Sequence, residues 1–276
     1  MGVIDFHIHL GSMFYKQNPF ILQLKETNPE LYERTIKDFT DDPKVLEKFL
    51  IGQGVDRAVV LPELHPLNNF DMTTEMVVEY CQNSDILIPF AHLNPNAEAD
   101  PLEKLKYYIN NLNCSGLKLL PSYHHFYPNE QHLYPLYEFA QKINLPVMYH
   151  IGSSTFSHTK LKYCDPFCLD EICADFPNLT VIASHGGRGF WYDTISFLLK
   201  LHKNLYVDVA GLPPKQLLDF FPDLESKSDR FIFGSDWPGI PSTIEKNIAA
   251  VRHLPVSESG KKEILYGNAR RILERE

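Results

Sequence analysis

Hydrophobic and polar positions follow two rhythms along the chain, and the switch between them marks out its elements. Short apolar runs recur at Val3–Leu10, Val55–Leu61, Ile86–Leu93, Ser115–Leu120, Pro146–Ile151, Leu179–Ser184, Leu205–Val209 and Arg230–Gly234. Most lack polar alternation, as expected of strands buried on both faces. Between them apolar residues return every three or four positions, as in Val45, Leu46, Phe49 and Leu50, the spacing of an amphipathic helix. Helices are expected around Pro29–Asp38, then over Pro43–Gly52, Asp71–Cys81, Pro101 to about Leu112, Asn129–Ile143, Asp165–Phe176, Trp191–Leu201 and Pro213–Phe221. A last pair covers roughly Ser242–Arg252 and Ser257–Leu273. Asp42-Pro43 and Asp100-Pro101 each supply a capping carboxylate followed by a proline in the first turn.

Eight strands, each followed by helix, imply parallel pairing through crossover units. In 276 residues that number fits an α/β fold of the closed (β/α)₈ TIM-barrel type, a single domain over residues 1–276 with 12–40 as an insertion after the first strand. The rival is an open doubly wound sheet, which usually shows a glycine-rich turn after its first strand. Here that turn reads His7-Ile8-His9-Leu10-Gly11-Ser12.

Composition narrows the partners. With 44% hydrophobic and 22% charged residues the chain is an ordinary globular one, and a net charge of -9 argues against nucleic acid or an anionic membrane. No apolar stretch approaches the roughly 18 residues needed to span a bilayer, so a cytoplasmic location is expected, with a small-molecule substrate as partner and a homodimer left open. The five cysteines, Cys81, Cys114, Cys164, Cys168 and Cys173, are odd in number and lack disulfide spacing. Ordinary buried thiols are expected, although Cys164 and Cys168 could face each other at a small metal site.

In a TIM barrel the chemistry sits where the strands end. His7 and His9 occupy alternate positions of the first strand and should share a face with Asp5. Twelve histidines in 276 residues would give about half of one His-x-His by chance, so the pair means little alone. Its weight comes from the other strand ends: Lys118 on the fourth, His150 on the fifth, His185 on the sixth, Asp236 on the eighth. Singly, His150 or His185 would read as a hydrogen-bonded structural group, and Asp236 as a turn residue before Trp237-Pro238. Together they make a three-histidine, one-carboxylate metal set with a further histidine beside it.

With those motifs in order, the sequence resembles the amidohydrolase superfamily, specifically the metal-dependent group related to aminocarboxymuconate-semialdehyde decarboxylase and pyrone-dicarboxylate lactonase. The matching segments are Asp5-Phe6-His7-Ile8-His9, Gly116-Leu117-Lys118-Leu119, His150, Ser184-His185-Gly186-Gly187, Phe233-Gly234-Ser235-Asp236-Trp237-Pro238 and Ile264-Leu265-Tyr266-Gly267-Asn268-Ala269. The resemblance implies one divalent metal, zinc before manganese, held by His7, His9, His150 and Asp236, with His185 as the catalytic histidine.

The reaction expected on that basis is hydrolysis of a small anionic lactone or ester through a metal-activated water. Asp236 would take the water's proton, His185 would polarise the carbonyl, and Lys118 and Arg188 would contact the substrate. The alternative is decarboxylation of an aromatic or muconate-type acid. Hydrolysis is preferred because the chain looks compact, without the longer capping segments associated with the decarboxylases. Tyr123, Phe126, Trp191 and Trp237 are read as apolar walls or packing, and His92, His124 and His125 as substrate contacts or plain loop residues near the rim. A non-enzyme reading, a barrel that binds a ligand without turnover, has the intact ligand set against it.

Overall fold

The computed structural model describes residues 2–10, 25–36, 39, 42–68, 70–239 and 242–275. Eight parallel strands surround a central axis. They are β1 (Ile4–His9), β2 (Arg57–Leu61), β3 (Leu87–Pro89, continued by Ala91–His92), β4 (Leu117–Leu119), β5 (Val147–Gly152), β6 (Val181–Arg188), β7 (Leu205–Asp208) and β8 (Phe231–Ile232). Neighbours pair in sequence order, for example Ile4↔Arg57, Ala58↔Leu87, Ala91↔Leu117, Leu117↔Val147, Val147↔Val181, Leu205↔Val181 and Val207↔Phe231. The ring closes where Phe6 N donates to Phe233 O, Asp236 N to His7 O and His9 N to Trp237 O, each at 2.9 Å. The expected (β/α)₈ barrel is therefore the observed one. Strand β3 is split because Pro89 has no N–H to give, yet the ladder continues through Phe90 N to Val60 O at 3.1 Å.

The helices are α1 (Pro29–Ile36), α2 (Pro43–Gly52), α3 (Thr74–Cys81), α4 (Pro101–Asn110), α5 (Pro121–His124), α6 (Tyr134–Lys142), α7 (Phe167–Asp175), α8 (Tyr192–Leu201), α9 (Leu217–Phe220), α10 (Ile244–Arg252), α11 (Glu258–Lys262) and α12 (Asn268–Glu274). Asp42 and Asp100 cap α2 and α4 as the sequence predicts, accepting from Lys44 N at 2.8 Å and Glu103 N at 3.0 Å. The expected helix over Asp71–Cys81 begins later. Thr73 is its cap, accepting from Met76 N, and Phe70–Met72 instead pairs antiparallel with Glu63–His65 as a hairpin above β2. The expected insertion over 12–40 falls largely outside the described residues, which include α1 within it.

Two apolar layers hold the barrel. Ile4, Phe6, Val59, Leu61, Ile88, Phe90, Met148, Ile182 and Ile232 plug its axis, sealed by Ala269 and Ile272 of α12. Alternate residues such as Ala58, Val60, Leu117, Val147, Val181 and Val207 face the helices. The polar site thus stands on a floor of hydrocarbon, with water excluded from below.

Candidate metal centre and active site

The site begins with a fault in β1. Asp5 pairs with Ala58 but Ile8 pairs with Val60, so three steps on β1 answer two on β2, a bulge with one extra residue. Strict alternation would put Asp5, His7 and His9 on one face. The bulge leaves Phe6 in the axial plug and brings His7 and His9 together, while Asp5 takes the opposite register beside Ala58. Asp5 Oδ1 accepts from His7 N at 3.2 Å and Ser235 N at 2.9 Å, pinning the bulge to the far side of the seam. Burial raises the Asp5 carboxyl to about 7.

The Nε2 atoms of His7 and His9 lie 3.1 Å apart, and Asp236 Oδ1 lies 3.5 and 3.4 Å from them. Donors bound to one zinc-like ion at about 2.1 Å would stand roughly 3.0–3.4 Å from each other. The other ring nitrogens fix the protons. His7 Nδ1 faces Asp208 Oδ2 at 2.5 Å and His9 Nδ1 faces the Leu61 carbonyl at 3.2 Å. Both acceptors need an N–H, which leaves the two Nε2 atoms facing each other and Asp236, with His9 hydrogen-bonded to that carboxylate. Two imidazole nitrogens and a carboxylate so gathered fit a divalent cation, which would take the place of the shared proton. Among the described residues this is the one group of three such donors within 4.8 Å of one another.

Electrostatics match that arrangement. Burial pushes His7, His150 and His185 well below the usual imidazole range, which keeps them neutral. For His9 burial acts downward too, but the Glu63 and Asp236 carboxylates outweigh it and raise the group. Burial would also raise Asp236, yet the His9 hydrogen bond and the charge of its neighbours hold it at about 2. His185 and Asp236 both sit in the left-handed backbone region, with φ of 65° and 59°. Non-glycine residues adopt that conformation at a cost of about 1–3 kcal/mol, a strain found chiefly at working sites.

His150 stands beside the three-donor cluster instead of within it. Its Nδ1 lies 3.2 Å from His185 Nε2, and His185 Nδ1 donates to Ala210 O at 2.8 Å. His185 Nε2 is therefore an acceptor and His150 Nδ1 its donor, which leaves His150 Nε2 bare, buried and without a hydrogen-bond partner. Lys118 lies below the mouth: fully buried, it donates to Ser184 Oγ at 2.8 Å and does not line the cavity. Burial lowers its amine and raises the Asp208 carboxyl.

A cavity of about 240 Å³ opens over these groups, lined by His9, Glu63, Tyr123, His150, His185 and Arg188 among others. Arg188 Nε and Nη2 donate to Ser153 O at 3.2 and 2.9 Å. Its Nη1 turns to Gly211, where a Cβ would lie 2.5 Å from it and 2.8 Å from Asp236 Oδ2. Of the aromatic walls expected, Tyr123 is one. Trp237 packs against Phe39 and Phe49 at 5.7 and 5.3 Å between ring centres, Phe126 is in the helix-facing core, and Trp191 is not among the lining residues. Phe156 takes that place instead. The five cysteines are free and buried.

Against this geometry, the family model described as amidohydrolase matches residues 4–275. The chain belongs to the amidohydrolase family. Members of the superfamily bind a divalent metal, as the donor set here anticipates. No functionally curated protein matches this amidohydrolase. Among solved structures, it resembles an uncharacterized TIM-barrel protein from Bordetella bronchiseptica at 22% identity and a TM-score of 0.81, over 100% of this chain and 99% of the other. A dihydroxybenzoic acid decarboxylase from a Polaromonas species, with bound manganese and the inhibitor 2-nitroresorcinol, is 16% identical with a TM-score of 0.72, over 99% and 97% of the two chains. The 4-oxalomesaconate hydratase of Rhodopseudomonas palustris is 18% identical with a TM-score of 0.66, over 99% and 96%. These likenesses establish the shared barrel.

Two residues of the site were not anticipated. Asp208 orients His7, and its sequence signal is a lone carboxylate at the end of Leu205-Tyr206-Val207-Asp208. Glu63, 3.7 Å from His9 Nδ1, stands two residues beyond the end of β2, at the start of the hairpin strand Glu63–His65. Both sit at strand ends, where a barrel gathers its polar groups.

Proposed function

We propose that this amidohydrolase is a metal-dependent carboxy-lyase that removes carbon dioxide from a small, planar carboxylic acid of the aromatic or muconate type. The observation that carries the reading is one wall of the cavity, where His9 and Asp236, with His7 behind them, stand beside the Arg188 guanidinium. A divalent ion held by those three residues, with the bare His150 Nε2 nearby, supplies the positive charge that binds a carboxylate and draws electrons from it. Two imidazoles and a carboxylate suit zinc; manganese, the metal bound by the Polaromonas decarboxylase, is the other choice.

Arg188, already fixed on Ser153 O, offers its remaining N–H groups to a second oxygen of the same substrate. Tyr123 and Phe156 give a ring flat apolar faces to lie against. A volume of about 240 Å³ suits a single small ring. When the bond to the carboxyl group breaks, its electron pair stays on the carbon left behind, which must then take a proton. That proton comes from solvent: the bare Nε2 of His150, whose other nitrogen donates to His185 Nε2, would take it from water in the cavity and pass it to the carbon.

The preference for hydrolysis rested on a chain too compact for a decarboxylase. The Polaromonas decarboxylase aligns over 97% of its own length with this chain, which removes that ground. Hydrolysis of a lactone or ester is the second reading. It is favoured by the place of Asp236, an ionised carboxylate lining the cavity beside His9, where a metal-bound water would stand within its reach.

Incubation of manganese- or zinc-loaded protein with hydroxybenzoates, muconate-type acids, lactones and esters separates the two readings. Carbon dioxide release in heavy water, with deuterium on the vacated carbon, is the expected result. Incorporation of oxygen from labelled water into an acid product, without carbon dioxide, would establish the second reading instead.

A further inference from the structure

Glu63 is a charged group of the cavity that the proposed reaction leaves unused. The chain leaves β2 at Leu61, passes Pro62 and enters the hairpin strand Glu63–His65, where Glu63 and His65 turn inward and Leu64 is exposed. Glu63 is 9% exposed and lines the cavity with His9 and Tyr123. Its ion-pair contact is His9 Nδ1, 3.7 Å from Oε2 and beyond hydrogen-bond length. That N–H already has the Leu61 carbonyl at 3.2 Å. The neighbouring Tyr123 hydroxyl is paired with Ser154 Oγ at 2.8 Å, and the Lys118 ammonium with Ser184 Oγ. The Glu63 carboxylate is thus nine-tenths buried, faces the cavity and receives no hydrogen bond from the described residues. A group in that state calls for a donor from elsewhere.

Its place says what that donor belongs to. Asp236 stands beside Arg188 across Gly211, and His9 stands beside Glu63. The metal donors are therefore flanked by a guanidinium on one side and a carboxylate on the other. These flanks come from the ends of β6 and β2, four strands apart in a ring of eight. A carboxylic acid bound at the centre meets a cation on one flank and an unpaired acceptor on the other.

We propose that Glu63 sets substrate specificity: it accepts a hydrogen bond from an amino or hydroxyl group on the ring, and it turns away acids with a second carboxylate on that flank. An N–H or O–H gives the buried carboxylate the donor it lacks, whereas a carboxylate brings like charge and no proton to share. This rests on the reading of the centre as a binder of aromatic or muconate-type acids, and it narrows that class to amino- or hydroxy-substituted aromatic monocarboxylic acids.

Calorimetric titration of zinc-loaded protein with benzoate, its 2- and 3-amino and 2- and 3-hydroxy derivatives, phthalate and isophthalate tests the assignment without turnover. In wild type the best-placed amino- or hydroxybenzoate should bind about 10- to 100-fold more tightly than benzoate, the worth of a hydrogen bond to a charged group. The dicarboxylate substituted at the same ring position should bind more weakly than benzoate. Glu63→Leu should abolish both differences. Glu63→Gln, which keeps an accepting carbonyl without the charge, should retain part of the first and lose the second. Zinc content should equal that of wild type in both variants. Ratios among the acids that are the same in wild type and both variants would overturn the proposal and leave water as the partner of Glu63. Loss of zinc with an equal fall in affinity for every acid would overturn it too, and would make Glu63 a positioning residue for His9. Failure of every acid to bind wild type would instead overturn the carboxylate-binding centre, and this inference with it.

Discussion

His7 and Asp208 are separated by 201 residues of chain, yet His7 Nδ1 and Asp208 Oδ2 stand 2.5 Å apart with both side chains buried. That contact decides which His7 nitrogen carries the proton, and so which one can hold a metal. Asp208 is itself held by Ala210 N, which donates to its Oδ1 at 2.9 Å. Replacing Asp208 by Ala should therefore weaken metal binding by about 10- to 100-fold. Titration of chelator-treated protein with zinc or manganese measures it. An affinity equal to wild type would show that His7 needs no such partner.

Arg188 brings a positive charge to the cavity, with its Nε and Nη2 tied to Ser153 O. Arg188→Ala should lower kcat/KM for a carboxylate substrate by about 10- to 100-fold, the worth of a hydrogen bond to a charged group. The loss should fall mainly on KM, and metal content should be unchanged. A change confined to kcat would mean that Arg188 acts on the reacting bond and not on binding.

Gly211 holds φ at 69°, between the guanidinium and the carboxylate. A methyl group there would meet Arg188 Nη1 at 2.5 Å and Asp236 Oδ2 at 2.8 Å, and the backbone conformation itself disfavours a side chain. Gly211→Ala should cost about 1–3 kcal/mol of stability and lower turnover by displacing Arg188. Urea denaturation alongside kinetics checks both; a variant with wild-type midpoint and rate would contradict the packing described.

Acid should loosen the fold through His92 and His124. Burial puts their folded pKa values at about 4 and about 3, below the unfolded 6.5, so the unfolded chain binds protons first as the pH falls. Stability then drops with falling pH between about 6.5 and 4. At pH 5 each histidine accounts for about 2 kcal/mol of that loss. Metal-free protein should show the slope in urea midpoints at pH 7 and pH 5, and His124→Gln should flatten it. A midpoint that does not fall would refute the assignment.

Much of this was legible in the chain. The apolar runs located all eight strands, because strands buried on both faces need no polar alternation, and the barrel followed from their count. His7, His9 and Asp236 were legible as strand-end polar groups. The bulge was not: side-chain alternation predicts one face for Asp5, His7 and His9, and only the pairing with β2 shows the extra residue that separates Asp5 from the other two. Lys118 is expected at the mouth because the fourth strand carries it, but it sits in the middle of β4 and its ammonium turns inward to Ser184. Asp208 and Glu63 were passed over because each is a lone carboxylate, and nothing local in sequence distinguishes one that orients a histidine from a turn residue. The late start of α3 had a local signal in Thr73, outweighed by the helical spacing around it.

The account stands on three donors meeting at one dication. The most direct test is an anomalous difference map from crystals grown with manganese and recorded on the low- and high-energy sides of its absorption edge. A peak within about 2.3 Å of His7 Nε2, His9 Nε2 and Asp236 Oδ1 is the result expected. A map with no peak there at saturating manganese, the two imidazoles hydrogen-bonded to water instead, would contradict it.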